Sequence, residues 1–243
     1  MKASISVLLA SLLLSVSAHA AVVTKQGTNF DLVYDDTKLG LFGSLDLNGN
    51  NLLFTPNDFK AQSLNGTGLD IESSTASGIR LIAKDNFQFG TIVLQEFGDY
   101  FLLGGGQVSV GGQLRAFDPS NPFATQTSSA ISVLPATALT INDGLTHDWI
   151  AAATIDANKP TVTGGTTNWL ANAGEIVLTI ENIMTAYTAP GVGPQAAFVE
   201  KKFAGVGLTI TSAVPEPSTW GSLGAGVFVL GVMVSRRKRN FSQ

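Results

Sequence analysis

The sequence predicts an all-β protein: a single β-sandwich, with the jelly roll as one form of it, flanked by an apolar segment at each end. Three observations carry this. Apolar and polar residues alternate with a period of two in several short runs, the pattern of a strand that buries one face. Glycine and asparagine clusters punctuate those runs, at 48–51, 65–68, 104–106, 142–144, 164–165 and 191–194, and many short strands with turn signals between them point to a sandwich. Helical signals are few, and the strongest lies in the second apolar segment.

Taken in order, residues 1–20 read as a signal peptide. Lys2 precedes an apolar core from Ile5 to Val16, and Ala18, His19 and Ala20 form the small-residue pattern cut by signal peptidase. That core is too short to span a bilayer, so cleavage after Ala20 is expected. Residues 21–213 are the expected domain, with no linker to divide them and enough chain for one substantial core. All 18 acidic residues lie between 21 and 217 against nine of the 14 Lys and Arg, which gives that stretch a charge of −9. Such a surface repels phosphate polymers and excludes nucleic acid as a partner. The absence of cysteine removes disulfides, thiol nucleophiles and zinc ribbons.

Within the domain, strands are expected around Phe87, Phe89, Val93 and Phe97, around Val108, Val110, Leu114 and Ala116, and around Ile176, Leu178 and Ile180. Val206, Leu208 and Ile210 belong to a final strand from Phe203 to Ser212. Residues 166–173, with Trp169 and Leu170, read as a turn of helix or a loop anchored by its tryptophan.

The tail from 214 to 243 has three parts. Pro215 and Pro217 fix φ and disfavour helix at the residue before each, so Val214, Pro215, Glu216 and Pro217 form an extended segment of the kind a protease or transpeptidase binds. From Ser218 to Val234 come 17 residues without a charge, at the short end of the roughly 17 to 25 that cross a bilayer core. Arg236, Arg237, Lys238 and Arg239 follow, and the positive-inside bias puts them in the cytoplasm and the domain outside.

This order of parts resembles the PEP-CTERM sorting signal. The resemblance falls on the motif at 214–217, the helix at about 218–234 and the basic cluster at 236–239. It implies export from a Gram-negative cell, recognition of the Pro-Glu-Pro motif by a membrane-embedded exosortase, removal of the tail, and association with the cell surface or an exopolysaccharide matrix. Patches at 34–43, 53–59, 98–100 and 198–203, with Glu181 and Asn182, resemble ectodomains of other PEP-CTERM proteins and carry no site with them.

Residues able to do chemistry are scattered. Asp46, Asn48 and Asn50 have the spacing that opens a calcium loop, but Asn51 and Asn57 stand where glycine and glutamate are wanted, and a hairpin turn explains them as well. His147, near Asp143 and Asp148, is the one histidine of the mature domain, and no nucleophile motif accompanies it. Asp35 with Asp36 reads as a turn, and Glu175 and Glu181 as acids that solvate one strand face. Tyr34, Tyr100, Trp149, Trp169 and Tyr187 are candidates for a sugar-stacking platform, with core packing the favoured role for most. Lys201 and Lys202 read as a charged strand edge.

The expectation is an exported surface or matrix protein with no catalytic residue, cofactor or metal. Signal peptidase and exosortase are its processing enzymes, the inner membrane holds its precursor, and exopolysaccharide is a further partner. The alternatives on the same scaffold are a secreted carbohydrate-binding module and a glycan-active hydrolase.

Overall fold

The alternation around Ile176, Leu178 and Ile180 belongs to one long strand, Glu175–Thr188, in which every second side chain from Ile176 to Thr188 is buried. It is one of 12 strands in a computed structural model that describes residues 22–156, 169–191 and 193–212. In chain order these are β1 (Val22–Gln26), β2 (Phe30–Asp35), β3 (Ser44–Asn48), β4 (Asn51–Thr55), β5 (Lys60–Leu64), β6 (Gly68–Ala83), β7 (Phe87–Leu103), β8 (Gln107–Phe117), β9 (Thr127–Leu134), β10 (Thr146–Ile155), β11 (Glu175–Thr188) and β12 (Ala196–Ser212). Single helical turns, α1 (Pro122–Thr125) and α2 (Trp169–Asn172), lie between them. The expected signal peptide, the glycines at 164 and 165 and the tail from 214 lie outside the described residues.

All-β is correct, but the separate layers of a sandwich are not. The strands form one antiparallel sheet in the order β1-β2-β6-β11-β8-β9-β10-β7-β12-β4-β3, nearly closed into a barrel, with β5 also paired to β12. The corner is β9: residues 127–131 pair with β8, and residues 132–134 pair with β10. Alternation and turn spacing are the same in a sandwich and a barrel, so they could not separate the two. The path ends at β1 and β3, and the gap between them is bridged by side chains: Lys25 Nζ to Asp46 Oδ1 at 2.7 Å, Asn29 Nδ2 to Asn50 Oδ1 at 3.2 Å, and the Tyr34 hydroxyl to the Leu45 carbonyl at 2.9 Å.

The inside is filled with side chains. Phe30, Phe42, Phe54, Phe59, Phe89, Tyr100 and Trp149 are among its fully buried members, each phenylalanine contributing roughly 1.5–3 kcal/mol by its removal from water. Phe42, in the one-turn helix Gly40–Phe42, meets Phe54 and Phe59 edge-on at 5.6 and 5.7 Å.

Two β-bulges set which side chains point inward. Pairing of β12 with β7 shifts between Leu208 and Ile210, opposite Ile92 and Phe89, and again between Lys201 and Phe203. On β7 the inward row therefore passes from Phe89 to Ile92, Leu94, Glu96, Gly98, Tyr100 and Leu102. The expected phase through Val93 and Phe97 is wrong beyond Phe89: both face outward, and Phe97 meets Phe203 there at 6.0 Å. A bulge inserts one residue and so exchanges the two faces of the strand beyond it. On β12 the inward row is Ala197, Val199 and Lys201 before the bulge and Ala204, Val206 and Leu208 after it.

Candidate functional site

Lys201 lies inside the barrel, which corrects its reading as a charged strand edge. β12 is no edge, since β7 pairs with one side of it and β4 and β5 with the other. The bulge at Lys202 turns Lys201 inward, and its backbone N–H donates to the Phe59 carbonyl at 2.9 Å. Lys202 alone stays at the surface, 3.5 Å from Asp99 and 2.6 Å from Glu200.

Inside, Lys201 Nζ stands 2.8 Å from Glu96 Oε1, and both side chains are 0% exposed. Glu96 Oε2 accepts a hydrogen bond from Asn182 Nδ2 at 2.9 Å, and the same amide nitrogen donates to the Gly111 carbonyl at 3.2 Å. The rings of Phe42 and Phe59 cap the lysine, their centroids 4.8 and 4.9 Å from Nζ. One carboxylate thus joins an amine on β12 to a primary carboxamide on β11, across the interior. Burial pushes the Lys201 ammonium down to about 8, against the pull of Glu96 in the other direction. Apart from these contacts, Lys201 Nζ, Glu96 Oε1 and Asn182 Oδ1 have no hydrogen-bond partner among the described residues, an arrangement folded proteins rarely tolerate in their interiors.

Sequence reasoning missed this cluster, although Asn182 stands on the buried row of β11, between Ile180 and Met184. A polar residue on a buried row is the signal that could have found it.

The other sequence candidates are dispersed. Asp46 ends in the β3–β4 hairpin, whose two-residue loop has Gly49 at φ 61°, as a tight hairpin requires at that position. Lys25 and the Leu47 N–H hold the Asp46 carboxyl below the usual carboxylate range. Among the described residues no group of three His, Asp or Glu side chains is placed to hold a metal ion. His147 Nε2 is 2.9 Å from Asp143 Oδ1, and its ring lies 5.6 Å from that of Tyr100. Asp35 caps the turn at 36–38 through the Thr37 N–H and hydroxyl, so the turn reading holds. Glu175 forms a two-pronged pair with Arg80 at 2.6 and 3.0 Å, and Glu181 meets Arg115 at 2.7 Å. The Arg80–Glu175 pair walls an open cleft of about 740 Å³ that also holds Asp118 and Phe117. Of the five platform aromatics, Tyr34, Tyr100, Trp149 and Trp169 are core residues, and Tyr187 is half-buried.

The tail residues Val214, Pro215, Glu216 and Pro217, the apolar run after them and the cluster Arg236 to Arg239 lie outside the described residues. Their sequence, however, has a known counterpart that begins one residue after β12 stops. Residues 213–239 match the PEP-CTERM protein-sorting motif. No curated protein matches the chain. The PEP-CTERM motif implies exosortase-dependent sorting of an exported protein, through a membrane-anchored C-terminal signal, in Gram-negative bacteria. Among the described residues no helix is long and apolar enough to cross a membrane.

Proposed function

We propose that this is a non-enzymatic protein of the cell surface or the exopolysaccharide matrix, exported with its signal peptide removed after Ala20 and processed by an exosortase at Pro215 to Pro217. The observation that carries the reading is the junction between domain and tail: the PEP-CTERM motif starts at residue 213, directly after the last residue of β12 at 212. The helix at about 218–234 then holds the precursor in the inner membrane, with Arg236, Arg237, Lys238 and Arg239 on the cytoplasmic side and the domain in the periplasm. An acidic domain with a filled interior, and with Asp35, Glu175 and Glu181 held in ion pairs, suits a scaffold better than a catalyst.

The test is made on the cells that produce the protein. Glu216→Ala is expected to leave a larger, membrane-bound precursor on a blot, and mass spectrometry of the unmutated mature protein is expected to find its C-terminus within or near 214–217. Persistence of the whole tail in the mature surface protein overturns the reading. Hydrolysis of a glycan by the purified protein overturns its non-enzymatic part while leaving the sorting part intact.

A further inference from the structure

We propose that Lys201 and Asn182 become joined by an intramolecular isopeptide bond, formed by the folded barrel itself with Glu96 as the proton carrier. Each element of that chemistry is in the buried cluster. The nucleophile is Lys201 Nζ, the electrophile is the Asn182 carboxamide carbon, and the leaving group is its Nδ2. Glu96 touches both ends of the exchange, with Oε1 2.8 Å from the nucleophile and Oε2 2.9 Å from the leaving nitrogen. The Gly111 carbonyl holds Nδ2 in place from a third direction at 3.2 Å.

The protons balance without another reactant. The Lys201 ammonium gives one proton to Glu96, which leaves a neutral amine able to attack. The Nζ lone pair forms a bond to Cγ, and the carbonyl π pair moves onto Oδ1. Nζ then loses a second proton, again through Glu96, while Glu96 protonates Nδ2. As the Oδ1 pair restores the carbonyl, the Cγ–Nδ2 bond breaks and ammonia departs. Five N–H hydrogens enter, three on Nζ and two on Nδ2. One remains on the new amide, three leave with ammonia, and the last stays on Glu96, which is left a neutral carboxylic acid.

Three features of the site favour this exchange over a permanent ion pair. A lysine in water is protonated at neutral pH and does not attack, whereas burial lowers the proton affinity of Lys201 and brings its neutral form within reach. The Phe42 and Phe59 rings close over Nζ, and Asn182 is itself fully buried, which keeps out the water that would compete for its carboxamide carbon. A buried charge pair with incompletely satisfied atoms is costly, and the exchange removes both of its charges, leaving Lys201 in a neutral secondary amide and Glu96 as a neutral acid. The bond closes a ring from residue 182 to residue 201 and ties β11 to β12, which are neighbours in sequence but lie in opposite walls of the barrel.

The test is peptide mass spectrometry on the protein purified from its own cells. Cleavage at Glu181 and Glu200 separates a peptide that begins at Asn182 from one that begins at Lys201. The expected result is that the two stay joined, with a mass lower than their sum by about 17 Da, one ammonia. Lys201→Arg and Glu96→Gln are expected to release two separate, unmodified peptides, and Asn182→Asp to give the same joined product by loss of water. Two separate peptides from the unmutated protein overturn the proposal, as does conversion of Asn182 to aspartate without a bond to Lys201. The unmutated protein decides the matter by itself, so a variant that fails to fold does not leave it open.

Discussion

In an Asn182→Ala variant, which has no carboxamide to attack, Lys201 stays an unjoined amine beside Glu96, and the domain should become more stable as the solution is made alkaline. The sign follows from the lysine. Its folded-state pKa is about 8, below its ordinary value of 10.5. Between those two values the unfolded chain binds a proton that the folded one does not, so stability rises with pH across that window. Below pH 8 both states are protonated, and the cost of the buried charge is present in full. The distance between the two values corresponds to about 3 kcal/mol gained across the window, and full burial leaves no solvent screening to reduce it. At an m-value of about 3 kcal/mol/M the urea midpoint should climb by about 1 M. The assay is urea unfolding of Asn182→Ala from neutral pH to about pH 10.5, with Asn182→Ala/Lys201→Met as the control for every other titrating group. A variant curve that runs parallel to its control refutes the reasoning.

Three further substitutions probe the packing. Gly98→Ala would place a Cβ 2.6 Å from Trp149 Cζ2 and against the Glu200 carbonyl, and thermal or urea unfolding should show a loss of about 1–3 kcal/mol or more from overpacking. Phe59→Ala removes a fully buried ring and one cap over Lys201. It should cost about 3–5 kcal/mol by urea unfolding and, by admitting water, reduce the fraction of joined 182–201 peptide. Arg80→Ala breaks a surface pair whose arginine is about half exposed and should cost less than about 1 kcal/mol, a difference that shrinks further at high salt.

Local pattern carried much of this molecule into view. The phases of β8 and β11 and the second half of β12 follow directly from their alternation, because the residues read there stay on the inward row. The turns at Gly49, Asn65 and Gly104 sit where glycine and asparagine cluster. β7 was different: the row through Phe89 crosses a bulge before Ile92, so stepping onward in twos lands on Val93 and Phe97 at the outer face. The second bulge, at Lys202, hid Lys201 in the same way. Whether an extra residue is accommodated depends on the partner strand, and partners such as β7 and β12 are about a hundred residues apart in sequence. Strand order and the turn of β9 between two neighbours are equally non-local. The buried cluster draws Glu96, Asn182 and Lys201 from three strands, which is why no spacing announced it. The sorting tail, by contrast, was legible because its parts are contiguous and act through local stiffness, apolarity and charge.

β12 is the strand that runs up to the sorting tail, and it has β7 on one side throughout and other strands on its second side at 196–200 and 204–207. It pairs with β7 at 15 positions, while β5 and β4 take its other edge. A pull applied at the C-terminal end of β12 is therefore delivered along the axis of a strand inside the sheet. Its ladder hydrogen bonds are loaded side by side in shear, so many must fail together before the strand slides. An edge strand pulled from its end would instead unzip one bond at a time. On the proposed reading, in which the domain is delivered through this end, the load falls on a strand inside the sheet and not on the rim strands β1 or β3.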